Sequence, residues 1–279
     1  SYVGKHAPDL MKSKDKWFRG VELGYGPDGG VYVLDWSDIG ECHENDGIHR
    51  TSGRVFKITH GKAKPVTGDL TKLSSLELAK LQTHANDWHV RQARRLLQER
   101  AVTSRADIAQ AQKVLRDIYS KSSSIPHRLR AMWALYVTDS LDEGWLLKQT
   151  HDKNEHIRVW AIKFLNDSGT PSAVALKRFV QMARADIAGL VQLHLASTLQ
   201  LLPLAKRWEL AGALVSHDKY ANDPVLPLMV WYGINSAVPD NRAEAVKLIA
   251  KCKLPKVRQF IARRLTEDGD KKGEKKTDP

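Results

Sequence analysis

A phrase that recurs constrains this chain more than any single motif. Gln82-Thr83-His84 followed by His89-Val90-Arg91 returns as Gln149-Thr150-His151 followed by His156-Ile157-Arg158, an interval of about 67 residues. Ser216-His217-Asp218-Lys219 echoes the first half about 66 residues further on. A fixed interval marks a stack of similar units, each too small to bury its own apolar face and each covered by its neighbours. Apolar residues between the echoes keep helical spacing, so half the interval, about 33 residues, is the length of one helix pair.

The pairs can be followed along the chain. Ser74-x-x-Glu77 is a capping box ahead of Leu76, Leu78, Ala79 and Leu81, and Asn86 caps a second helix carrying Val90, Ala93, Leu96 and Leu97. Residues 108–119 pair with 127–137, and the second echo forms the next pair. Then come 172–183 with 188–202, 206–215 with 224–234, and 242–252 with 257–265. Six pairs at roughly 30 to 38 residues describe an α-solenoid of the HEAT type, so the chain is expected to be mainly α. Small residues near the middle of the second helices, Ala93, Ala131, Ala161, Ala196, Gly233 and Ala262, are expected to let neighbouring helices approach closely. Pro171 is read as a first helical residue and Asp240 as a cap. His84, His151 and His217 are read as groups that bond free carbonyls near the ends of first helices. Trp88, Trp133, Trp145, Trp160, Trp208 and Trp231 fall at helical positions or helix starts, and most of them are expected to belong to the core.

The first sixty residues follow a different period. Val21 to Leu23 and the run V-Y-V-L-D-W from Val31 flank Gly26-Pro27-Asp28-Gly29-Gly30, a turn in which Pro presets φ and Gly supplies positive φ. A third run from Arg54, R-V-F-K-I-T, alternates with period two. Three strands cannot cover a sheet face and protect its edges unaided. The expected organisation is a small antiparallel sheet in residues 1–61, a Lys/Pro/Gly linker at 62–73, the helical repeat at 74–267, and a charged, disordered tail at 268–279.

The order strand, G-P-D-G-x-x-Y-V-x-D-W, long polar loop, then G-R-V-F-K-I resembles the last blade of a large propeller family. These are the membrane-bound dehydrogenase-like proteins of planctomycetes and their relatives, whose propeller is similar to that of glucose/sorbosone dehydrogenases. The resemblance covers about 45 residues, from Trp17 to Gly61, and the helices that follow agree with the family in order rather than in motif. It implies that residues 1–61 are one terminal blade whose companion blades lie elsewhere in the same polypeptide. It also implies oxidation of a sugar or alcohol, transfer of the electrons to a quinone or to a c-type cytochrome domain or protein, and a periplasmic or otherwise exported location. Asp15, Trp17 and Arg19 would then close the propeller ring.

The same resemblance puts the chemistry in the loop after Asp35-Trp36. His43 and His49 are the candidate general bases, since imidazole titrates near working pH. Arg50 and Arg54 are candidates for pairing the carboxylates of pyrroloquinoline quinone through their planar forks. Asp38, Glu41 and Glu44 offer hard oxygens to Ca²⁺. The structural alternative is that Asp35 and Arg54 brace the blade, that Trp36 packs between blades, and that the loop is solvated. A haem c attachment is excluded within this chain, because the Cys42-His43 pair lacks the second cysteine: position 39 is Ile39. Cys42 and Cys252 form no metal pattern, and no phosphate loop or EF-hand is present.

The chain carries 44 Lys and Arg against 32 Asp and Glu, a net charge of +12. Arg91, Arg94, Arg95, Arg128, Arg130, Arg158, Arg258, Arg263 and Arg264 lie on second helices, which keeps open a basic HEAT protein that holds nucleic acid. Nothing in the first sixty residues fits that reading, and the excess charge is spread along the chain. A non-catalytic scaffold that binds a protein along the solenoid is the other alternative. The apolar runs fall far short of the roughly 20 residues that a membrane-spanning helix needs. The start at Ser1, without methionine or companion blades, is read as a point inside a longer protein.

Overall fold

The computed structural model of the protein describes residues 3–39, 52–62, 68–103 and 105–270. It is mainly helical, with thirteen α-helices and one three-stranded antiparallel sheet among the described residues. The chain divides into two compact units, one of Gly4–Ser140 and one running from Leu141. The sheet therefore shares a unit with the first helices, a grouping that local sequence pattern does not mark.

In the first unit β1 (Gly20–Tyr25), β2 (Val31–Asp35) and β3 (Arg54–Ile58) pair in the order β1-β2-β3. Leu23, Val33 and Phe56 stand opposite one another on one face, and Glu22, Leu34 and Val55 on the other. The β1–β2 turn closes through Gly26 N–H to Gly30 O at 3.0 Å and Gly29 N–H to Gly26 O at 3.0 Å, with Gly29 at φ 80. Asp28 accepts the Gly30 amide at 3.1 Å and pairs with Lys57 of β3, which fixes the turn to the far strand.

Four helices follow: α1 (Ser75–Lys80), α2 (Asp87–Thr103), α3 (Arg105–Lys121) and α4 (Ile125–Val137). The capping box is formed, Ser74 Oγ accepting the Glu77 amide and Glu77 Oε2 accepting the Ser74 amide. First helices pack together (α1 on α3), as do second helices (α2 on α4). Leu78, Leu97, Leu115, Met132 and Leu135 fill the space between them, fully buried.

The hairpin turn is tied to the start of α2. Asn86 accepts the Trp88 amide at 2.9 Å as the helix cap, while its amide nitrogen donates to Gly26 O at 2.9 Å and Pro27 O at 3.1 Å. The Tyr25 hydroxyl donates to Asp87 at 3.0 Å and accepts from Arg91 at 2.8 Å.

The second unit repeats the layering. It contains α5 (Glu143–Gln149), α6 (Glu155–Leu165), α7 (Ala173–Ala185), α8 (Gly189–Thr198), α9 (Arg207–Leu214), α10 (Leu226–Ile234), a short α11 (Ala237–Asp240), α12 (Arg242–Lys251) and α13 (Pro255–Asp270). The first helices α7, α9 and α12 pack in one row, and the second helices α6, α8, α10 and α13 in another. Gly233 marks the closest approach: a β-carbon there would stand 2.5 Å from Leu199 Cβ, so only glycine fits.

Two caps fall elsewhere than the sequence reading puts them. Ser172 caps α7 by accepting the Ala175 amide at 3.1 Å, so Pro171 precedes the helix. Asn241 caps α12 by accepting the Glu244 amide at 3.1 Å, and Asp240 closes α11 instead. In each case a side-chain oxygen one residue further on reaches the free amide. The histidines also differ among themselves. His217 Nε2 lies 3.1 Å from Ala183 O near the end of α7, whereas His84 Nδ1 accepts the Asn86 amide at 2.9 Å and shapes the α1–α2 turn.

Candidate functional site

Strand β2 ends in Asp35, and the backbone turns there into the loop that the sequence singles out. Asp35 is buried and receives three donors: the Arg19 amide at 2.7 Å, the Ser37 amide at 3.0 Å and Arg54 Nε at 2.7 Å. Burial pushes its carboxyl up, but those amides and the guanidinium outweigh burial and hold it below the usual carboxylate range. Asp35 is thus a fixed anion and an acceptor without a proton to give. Ser37, also buried, adopts φ 55, a left-handed conformation that few serines occupy.

The segment before β1 closes the knot. The Asp15 carboxylate accepts the Trp17 amide at 2.9 Å and Arg54 Nη1 at 2.5 Å, and both donors lower its pKa, the amide foremost. The Asp38 amide donates to Trp17 O at 2.9 Å, the Trp36 amide to Arg19 O at 2.9 Å, and Arg19 reaches Ile39 O at 2.9 Å. From the far side Ser52 donates to Ser37 O at 3.2 Å.

Of the seven candidate residues, Arg54 and Asp38 lie in this knot. Arg54 is engaged by Asp15 and Asp35 and stacks over Phe56 at 5.2 Å, so its pKa is raised by Asp15 first and Asp35 second. A quinone carboxylate at Arg54 would have to displace Asp15, the more exposed partner. Asp38 is buried beside the strand end. His43, His49, Arg50, Glu41 and Glu44 lie outside the described residues. Among the described residues no cluster of His, Cys, Asp and Glu could hold a metal ion.

The sequence did not anticipate what the arginines do. Arg100 donates to Leu73 O and Thr71 O, Arg130 to His84 O, Arg178 to Thr150 O and Arg207 to Gly233 O, each satisfying a carbonyl at a helix end or turn. Arg158 forms a two-point pair with Asp186 at 2.6 and 3.0 Å. On the second helices Arg130 and Arg158 are engaged in this way, and on the first helices Arg178 and Arg207. Local pattern carries no sign of this beyond the recurrence of Arg91 and Arg158 in the repeated phrase.

The second unit also carries a cleft of about 340 Å³ between α6 and α8, bordered by Trp160, Lys163, Phe164, His194 and Thr198. Burial, and then Lys163, lower the His194 pKa. No helix among the described residues is long and apolar enough to cross a membrane.

No family model and no curated protein matches the chain. Among solved structures it is similar to an engineered protein whose crystal structure was determined by the Northeast Structural Genomics Consortium. Identity is 17%, the match covers 71% of this chain and 97% of that one, and the TM-score is 0.37, a likeness too slight to carry an argument.

Proposed function

We propose that this chain is part of a propeller-bearing, sugar- or alcohol-oxidising dehydrogenase-like protein of the periplasm. The sheet would be its terminal blade and the HEAT-like helices an interaction scaffold. The observation that supports the reading is the state of the sheet. Leu23 is 70% exposed on one face and Val55 65% exposed on the other, and all of β1 is exposed along its length. Apolar side chains open on both faces, in a sheet whose outer strands are both short, are what a blade has when its neighbours are absent. A single blade cannot wall a substrate off from water, so turnover belongs to the assembled propeller.

Within that reading His43 and His49 are the proton acceptors, Arg50 and Arg54 the quinone-binding pair, and Asp38, Glu41 and Glu44 the calcium ligands. A quinone or a c-type cytochrome, the latter as a domain or a partner, takes the electrons. The test uses the full-length parent, supplied with Ca²⁺ and pyrroloquinoline quinone and assayed for dye reduction with a panel of sugars and alcohols. Sugar-dependent reduction that is lost in His43→Ala or His49→Ala supports the loop as the catalytic site. Activity that survives both changes moves catalysis to other blades. No activity in parent protein that binds both cofactors overturns the enzyme reading and leaves a binding scaffold, for which the aromatic cleft between α6 and α8 is the first candidate surface. For the nucleic-acid alternative, Arg130 and Arg158 are already engaged within the fold, and absence of binding at about 50 mM salt would dismiss it.

A further inference from the structure

Arg94 stands apart from the other arginines of the second helices. It lies on α2 with its guanidinium over the Trp133 ring of α4, 5.2 Å from the ring centre. No carboxylate among the described residues pairs with it, and its buried Nη1 has no acceptor. Two further guanidinium groups stand beside it. Arg91 and Arg130 share one carboxylate, Asp87, at 3.4 and 3.0 Å. Three guanidinium groups against one carboxylate leave two positive charges where α2 packs on α4.

A half-buried cation without a counter-ion is costly, and folds tolerate one where something outside the chain neutralises it. Burial pushes the Arg94 guanidinium down, and Arg91 and Arg130 push the same way against Asp87. The indole face already orients the guanidinium plane, so binding an anion there needs little further ordering of the side chain. A carboxylate would leave this cluster with one charge in excess, whereas a phosphate monoester carries about 1.5 to 2 negative charges at pH 7 and several strong acceptor oxygens.

We propose that the guanidinium cluster at the α2–α4 contact, around Arg94 and Trp133, binds a phosphate monoester, with Arg94 as the main contact and Arg91 and Arg130 as flanking charges. Arg94 and Trp133 both belong to helices, while the flanking Arg91 and Asp87 also bond Tyr25 of β1. Calorimetric titration of the whole 279-residue chain tests it. The titrants are inorganic phosphate, a short phosphoserine peptide, its unphosphorylated counterpart and a single-stranded oligonucleotide. Arg94→Met is expected to weaken phosphate or phosphopeptide binding by at least about tenfold, the loss of one charge-assisted contact. The same variant is expected to raise the melting temperature, because an unpaired cation becomes an apolar side chain of similar length; a merely structural arginine would lower it. Arg95→Gln, an exposed residue paired with Glu99, serves as the unchanged control. Tighter binding of the phosphopeptide than of inorganic phosphate identifies a phosphorylated protein as the source, and equal binding a small phosphorylated molecule. The proposal is overturned by phosphate binding that Arg94→Met leaves unchanged, by binding of the oligonucleotide alone, or by no binding of either phosphate ligand.

Discussion

The sheet and the helix pairs solve the burial problem in opposite ways. In the helices large apolar side chains, Phe179, Leu97 and Leu195 among them, are fully out of water, because every pair covers the next. In the sheet only Val33 is buried among the apolar strand residues, although the strands are equally apolar in sequence. Hydrophobic pattern sets the type of an element, and the supply of covering surface sets whether the element stands alone. What holds the sheet is polar: the Asp28–Lys57 pair, the Asp35–Arg54–Asp15 knot and the Asn86 clasp on the turn.

The comparison breaks most sharply under truncation. Phe179→Ala is expected to cost about 3 to 5 kcal/mol in chemical denaturation, the range for emptying a sealed aromatic site. Leu23→Ala in the same assay is expected to change stability by less than about 0.5 kcal/mol. A cost for Leu23→Ala near that of Phe179→Ala would mean that the sheet is covered after all. Asn86→Ala removes both the α2 cap and the clasp, with an expected cost of about 1 kcal/mol. Hydrogen exchange should then show β1 and β2 amides opening well before those of α2, and equal protection in both would place the clasp elsewhere. The smallest effect is that of acid. Asp15, Asp28 and Asp35 all have pKa values lowered from 3.8 in the fold, so the unfolded chain takes up their protons first as pH falls. Their stabilisation is complete above that value and is lost as pH drops below it through the folded pKa values. The sheet is therefore expected to melt before the helices in a titration below about pH 4 followed by hydrogen exchange. Simultaneous loss would show that the helices depend on these carboxylates too.

The helix pairs were legible because each carries its own local signals. Ser74 with Glu77 and Asn86 before Asp87 act within four residues of where they stand, and the repeated phrase supplied the register. Asp240 and Pro171 misled because an adjacent Asn or Ser with better reach took the cap. The turn was legible from its glycines, but its attachment to α2 depends on residues about sixty positions apart and left no local mark. The same holds for the candidate site. The sequence located the polar loop after Trp36, yet Arg54 reads alike as ligand or brace until Asp15, far away in the chain, is seen beside it. Arg94 resembles its neighbours Arg91 and Arg95 in sequence, and only the facing residues of α4 decide which of the three lacks a partner.

The clasp at Asn86 also orders events in time. Its cap on Trp88 closes within two residues, whereas its bonds to Gly26 and Pro27 span 60 and 59. Local contacts form fastest, and closing a loop of that length slows what depends on it. The start of α2 should therefore be in place while the strands are still searching. The hairpin then arrives at a ready-made seat, and refolding of the first unit runs against the direction of its chain.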